Sequence, residues 1–318
     1  MQIIVLITVP IFGLIAAGYA ARASGLLGDA VADALARFVF AVAVPVLLFR
    51  TLARAEFGGE NPVLLWTAYF GGVCVAWPLG TLLARKVGGL DRRTGVVAGV
   101  AAGFSNTVFI ALPAVERAYG QAGLAPLLVI LSVHLPLMTA AGTLLLEGAA
   151  AADLRAAGTP APRRPVAQIL ASLVRAFLRN AIIIGILAGG AWRLTGLTIP
   201  PLLDEILAPL AGTAGPLALF SLGMSLRRFG LRGDLGLTLG IVGLSLVVMP
   251  AAVWLIAAPL LSPLWLKVAV LTAAAPSGVN AYLFATNVGA GEKLAASATL
   301  LGTCLSVVSL SAWLVILG

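Results

Sequence analysis

Few side chains in this sequence can do chemistry away from water, and most of those sit in two places. Ser105-Asn106 interrupts the apolar run 94–117, which also holds Gly103 and Pro113. Pro276-Ser277-Gly278-Val279-Asn280 interrupts the apolar run 264–288. Proline removes a backbone donor and clashes with the preceding turn. Serine and asparagine offer the chain local hydrogen bonds that compete with helix. Each stretch is therefore expected to hold unwound backbone inside an apolar environment, which is tolerated only against protein or beside a cavity. The N–H groups left free where a half-helix starts carry partial positive charge and suit an anion. Ser105, Asn106, Pro276, Ser277 and Asn280 are the candidate substrate-binding residues on this reading. The plainer alternative is a pair of proline kinks whose asparagines bond neighbouring helices.

The deepest titratable group is His134, the single histidine of the chain, in Leu131-Ser132-Val133-His134-Leu135-Pro136. An ionisable residue inside an apolar segment is a functional candidate by default, although a neutral histidine bonded across a helix interface fits the same position. The carboxylates, by contrast, all fall near the ends of apolar runs. That leaves no paired acids for general acid–base work and no nucleophile with a base beside it. Cys74 and Cys304 each stand alone in an apolar run, so no metal or redox motif is present. The expectation is binding without catalysis: no enzyme, no cofactor and no metal site.

Such residues need a scaffold, and the composition dictates its kind. Of 318 residues 61% are apolar and 10% charged, with mean hydropathy +1.08, against roughly 25% charged in soluble domains. Apolar runs long enough to cross about 30 Å of hydrocarbon as helices recur along the chain. We read ten: 2–20, 32–52, 62–84, 94–117, 122–146, 170–192, 202–226, 235–259, 264–288 and 292–317. The first lacks the basic start of a signal peptide, because no Lys or Arg precedes Arg22. The stretch 148–168, with Gly158, Pro160, Pro162 and Pro165, reads as a cytoplasmic linker between two halves, 1–147 and 169–318. The net charge of +8 does not signal nucleic acid, since the basic residues lie between apolar runs as topology determinants do. Fifteen lie on the side of the connections 1–2, 3–4, 5–6, 7–8 and 9–10, and five on the other. The side richer in positive charge faces the cytoplasm, which puts both termini outside it, in a cell's inner membrane.

The halves also match each other. At an offset of 171 residues, Gly18, Arg22 and Gly25 fall on Gly189, Arg193 and Gly196, Pro45 and Phe49 on Pro216 and Phe220, and Ser105-Asn106 on Pro276-Ser277. Two five-span repeats in one chain are necessarily inverted, an arrangement common among secondary carriers, whose sites lie where helices are broken near the bilayer midplane. The expected fold class is an all-α integral membrane protein of ten transmembrane helices, built as two inverted five-helix repeats.

The motifs themselves are familiar. Asn106-Thr107-Val108-Phe109-Ile110-Ala111-Leu112-Pro113 with Tyr119-Gly120, and Pro276-Ser277-Gly278-Val279-Asn280 with Phe284-Ala285, resemble the fourth and ninth helices of the auxin efflux carrier family, the bacterial relatives of plant PIN carriers. The resemblance covers essentially the whole chain. It implies broken fourth and ninth helices crossing at a substrate site, a mobile bundle of spans 3–5 and 8–10, a scaffold of spans 1, 2, 6 and 7, and a homodimer. His134 stands where those carriers have a site-facing glutamine, which makes it a substrate contact. Two departures are visible: Ser105 replaces a proline, which should soften the first break, and Ala181 follows Asn180 where Asn-Pro is frequent.

The function expected from all this is secondary transport of a small organic anion by alternating access. A monocarboxylate suits best, because no Lys or Arg lies mid-span. The coupling ion, proton or sodium, stays open. The alternative is a sodium-coupled symporter of the bile-acid carrier type, which a sodium requirement would reveal. A channel would need a continuous polar pore.

Overall fold

A computed structural model describes residues 2–55, 59–158, 174–175 and 177–318. Its elements are α1 (Gln2–Ala23), α2 (Asp29–Ala53), α3 (Pro62–Val87), α4 (Arg92–Gly103), α5 (Thr107–Ala156), α6 (Ala181–Leu194), α7 (Pro201–Leu226), α8 (Leu235–Ala257), α9 (Pro263–Ala273), α10 (Val279–Val288) and α11 (Glu292–Leu317). Seven helices are long and apolar enough to cross a membrane: α1, α2, α3, α5, α7, α8 and α11. α6 and α9 are shorter apolar helices. Helix is the form in which a lone segment satisfies its own backbone in hydrocarbon. The β pairing found among the described residues is a single isolated bridge. Leu6, Val9, Leu187, Leu255 and Val308 are exposed, as suits surfaces facing lipid rather than water.

Prolines shape several spans without ending them. A single wide, π-type turn occupies Val39–Ala43 in α2, Thr107–Ala111 in α5 and Leu244–Val248 in α8. Each ends two residues before a proline: Pro45, Pro113 and Pro250. Such a turn relieves the clash between the proline ring and the carbonyl four residues back. At 50 residues and about 1.5 Å per residue, a straight α5 would be far longer than a bilayer is thick. Gly120, at φ 61° and ψ −152°, breaks it in a conformation reserved for glycine.

Helix reaches into the stretch 148–168 that the sequence reads as a linker. α5 continues through Ala149, Ala150, Ala151 and Ala152 to Ala156, because alanine is the strongest helix former and Asp153 is held by Arg92 (Nη1–Oδ1 3.0 Å) and Arg93 (Nε–Oδ2 3.4 Å). Residues 159–168 lie outside the described residues, as do 170–173 and 176 of the sixth apolar run. α6 starts at Ala181, where the Ile182 amide donates to Asn180 Oδ1 at 2.9 Å. Asparagine thus caps this helix with alanine, rather than proline, after it.

Two helix pairs dominate the packing of the remaining spans: α1 against Ala214–Leu226 of α7, and α6 against Val44–Ala53 of α2. Both rely on glycine facing backbone. Gly18 abuts the Phe220 carbonyl and Gly189 the Phe49 carbonyl. Gly18 and Gly189, like Phe49 and Phe220, are separated by 171 residues. The aspartates of two ion-pair clusters at the helix ends follow the same offset, although their arginine partners do not. Arg228 pairs with Asp33 (Nη1–Oδ1 2.8 Å) and Asp29 (Nε–Oδ1 3.1 Å), whereas Arg50 and Arg54 pair with Asp204 (2.7 and 2.8 Å). Asp33 and Asp204 are again 171 apart. The exposed pairs among these add little stability individually, but all of them mark which helix ends lie together.

Candidate functional site

The two interrupted runs meet at their interruptions. α4 stops at Gly103, Phe104 leaves helical geometry at φ −103° and ψ 84°, and helix resumes at Thr107. α9 stops at Ala273 and α10 starts at Val279. Between them, Ser105 and Ser277 form an antiparallel bridge, in which the Asn106 amide donates to the Pro276 carbonyl at 2.8 Å. Ser105 Oγ donates to the Ala273 carbonyl at 3.2 Å, satisfying an acceptor freed where α9 ends. The softer first break expected from serine in place of proline is not what forms. The helix is fully interrupted, because Ser105 and Asn106 find partners in the opposite break that an unbroken helix would forgo. Thr299 Oγ1 reaches the Gly278 carbonyl at 3.4 Å from α11.

A cavity of about 160 Å³ lies against this crossing. Ser105, Asn106, Thr107, Gly278 and Asn280 line its polar side. Its walls include Phe40 of α2, Ile182 of α6, Phe109 of α5 and Leu283 of α10. Phe40 and Phe109 meet edge to face, centroids 5.0 Å apart. The volume suits a small molecule rather than a drug-sized ligand, whose pockets run to about 300–1,000 Å³.

The cavity is mostly apolar, with a few hydrogen-bonding groups on one side and no charged side chain in its lining. Asn106 Oδ1 accepts from the Phe109 amide at 3.1 Å, capping the resumed helix, while its buried Nδ2 has no protein partner. Gly278 precedes α10 without any side-chain cap, so the first amides of α10 keep their donors. Gly278 also makes room for Asn106: a Cβ there would sit 3.3 Å from Asn106 Cγ. Neutral donors and helix N-termini together suit one carboxylate.

Of the six candidate residues, the fold brings Ser105, Asn106 and Asn280 to the cavity. Pro276 and Ser277 sit in the bridge beside it, where the buried Ser277 hydroxyl has no partner. His134 does not line the cavity. It is fully buried behind Phe104, ring centroids 5.0 Å apart. The walls supplied by Phe40 and Ile182 escape sequence reading, because nothing local in an apolar helix marks which face meets a distant break. Among the described residues, no three His, Cys, Asp or Glu side chains gather where a metal ion could be held.

Sequence comparison joins this geometry to known proteins. The family described as membrane transport protein matches residues 3–314. The chain belongs to the auxin efflux carrier family of membrane transporters. A family relative from Methanothermobacter thermautotrophicus, described only as an uncharacterized transporter, is 29% identical over 312 residues, covering 96% of this chain and 95% of the relative. Family membership fits a multi-pass membrane protein whose broken helices face one another.

Proposed function

We propose that this carrier moves a small organic monoanion across the membrane by alternating access. One observation carries the reading: two helices broken at places 171 residues apart meet break to break over a small cavity with hydrogen-bonding groups on one side. The substrate carboxylate takes the Asn106 and Asn280 amides and the free N–H groups of α10. A second carboxylate would lack compensating charge, and an unpaired buried charge is costly. The cavity lies between elements of two kinds. α2 and α6 supply one wall, and the crossing supplies the other, so relative motion of the two would open it to either side.

Ten spans arranged as two inverted repeats, 1–147 and 169–318, complete the proposal. α4 with the 107–119 part of α5 makes the fourth span, the 121–156 part the fifth, and α9 with α10 the ninth. The paired contacts Gly18–Phe220 and Gly189–Phe49 support this count, since a two-fold exchanges them. Both termini then face outward from a cell's inner membrane. With Cys74 and Cys304 replaced by alanine, single cysteines beside Gln2 and beside Gly318 should react with an impermeant maleimide from outside. One placed between Arg155 and Pro165 should react only from inside. Labelling of the two termini from opposite faces would rule out an even number of spans.

The function is tested by uptake into proteoliposomes. Radiolabelled monocarboxylates should accumulate faster than dicarboxylates of similar size, and faster than in protein-free vesicles. The sodium-coupled reading rests on the carbonyl and hydroxyl oxygens at the same crossing. Accumulation that requires sodium would favour it, and the absence of uptake for any acid would defeat both.

A further inference from the structure

His134 is fully buried on α5, and neither ring nitrogen makes a protein hydrogen bond of ordinary geometry, although the Ser105 backbone lies against the ring. A neutral imidazole has one donor and one acceptor, and burial with both unmet is costly. Leucine or phenylalanine would fill the space without that cost. The ring is enclosed by three others: Tyr69 (centroids 5.5 Å, 73°), Phe70 (6.4 Å, 22°) and Phe104 (5.0 Å, 80°). Phe70 borders a groove whose described lining is apolar apart from the Trp66 indole, with Val133 and Leu137 among it. Phe104 borders the substrate cavity and directly precedes Ser105 in the break. It belongs to no helix, so a rearrangement of the crossing would move it without unwinding one.

We propose that His134 carries a proton together with the substrate anion, and that the Phe104 ring is the partition between the imidazole and the substrate cavity. With Phe104 turned aside, a hydronium ion from the side to which the cavity is open gives its proton to a ring nitrogen and leaves as water. The imidazolium then supplies the full positive charge that the cavity lacks, and the loaded site is neutral overall. After the cavity opens to the other side, the proton returns to water there, the anion departs and Phe104 covers the neutral ring again. One proton and one monoanion cross together. The ring's described contacts include no charged group. The Tyr69 hydroxyl from α3 is the other titratable group against it, and a phenol ordinarily ionises near pH 10. Of the two, the imidazole is the side chain whose unperturbed titration falls between about pH 5 and 8, and it gains its proton only when Phe104 turns aside.

The proposal rests on the transport reading, but its first test needs no substrate. His134 is the single histidine, so ¹⁵N-histidine labelling of the full chain, purified on a histidine-free tag, gives one assignable ring. In wild type without substrate, its nitrogen shifts should stay constant from about pH 5 to 8, the range in which a free imidazole titrates. In Phe104→Ala they should move through that range. In Phe70→Ala, which opens only the apolar groove, they should not. Phe104→Leu serves if the alanine variant does not fold. A wild-type ring that titrates like free histidine, or a Phe104 variant that stays constant, overturns the proposal.

The second test loads proteoliposomes with a pH-sensitive dye and supplies lactate, pyruvate or benzoate, with protein-free vesicles correcting for leak of the neutral acids. Wild type should acidify the lumen as the anion enters, with a rate rising roughly 25-fold from pH 8 to 6 if the uncovered imidazole gains its proton at an ordinary pKa of about 6.5. His134→Gln should still move anion down its gradient, without acidification and with a flat pH profile. Acidification by His134→Gln, or anion entry without protons in wild type, overturns proton carriage and leaves transport standing. No anion entry in wild type removes the transport reading itself.

Discussion

Gly18→Val and Gly223→Val carriers should fail to accumulate as folded protein. A Cβ on Gly18 would lie 2.0 Å from the Phe220 carbonyl oxygen, and one on Gly223 would lie 1.9 Å from that of Ile15. Both obstacles are backbone atoms, which cannot turn aside as a side-chain end can. α1 and α7 would have to separate along their shared length. Lipid would not compensate for the separation, because its tails are as apolar as the helices and association depends on close packing of small residues. Overpacking a soluble core costs about 1–3 kcal/mol. A forced separation of two whole helices should exceed that and consume much of the roughly 5–15 kcal/mol that holds a protein folded. Gly13 provides the control, since nothing lies within 4 Å of a Cβ there. Size-exclusion profiles and thermal melts in detergent should show Gly13→Val like wild type and the other two aggregated. A monodisperse Gly18→Val with an unchanged melt would mean that α1 and α7 do not pack as described.

The same glycines show how far the sequence can be read. Gly18 and Gly189 stand out as identities between the halves, together with Phe49 and Phe220. Their spacing is visible, but their mutual contact is not, because an offset relates equivalent residues and does not say which touch. The breaks are legible because proline, serine, glycine and asparagine inside apolar runs leave backbone groups that must be satisfied somewhere. That the two breaks satisfy each other, Asn106 amide to Pro276 carbonyl, is long-range information with no local trace. Depth and a place on the fifth span point His134 to the site. Its helix face instead turns it to Tyr69, Phe70 and Phe104, which hydropathy cannot resolve in a helix that is apolar all round. The four alanines that follow Gly148 carry helix into the stretch read as a linker, because alanine is the strongest helix former.

Asn106→Asp should abolish anion transport while leaving the fold intact, and it separates the two tasks of this side chain. Asn106 caps a helix through Oδ1, lines the cavity, and keeps a buried Nδ2 that has no protein partner. Asn106→Ala removes both, and loss of the buried donor alone costs about 1–3 kcal/mol, roughly 5- to 150-fold in affinity. That result would leave open whether the helix start or the substrate had lost its partner. Aspartate has nearly the same shape and retains the capping oxygen. A negative charge at a helix N-terminus is stabilising, so the melt should match wild type or exceed it. At the cavity, however, the donor becomes an acceptor with like charge to the substrate, and like charges brought together cost several kcal/mol. Uptake of a monocarboxylate should therefore fall more than about 100-fold, below the alanine variant, with no loss of folded protein. Asn280→Ala, which lines the cavity from α10 without capping a helix, should weaken uptake within the same range of roughly 5- to 150-fold. If Asn106→Asp transports like wild type, the anion does not meet Asn106, and the break between α4 and α5 serves only to join the two halves.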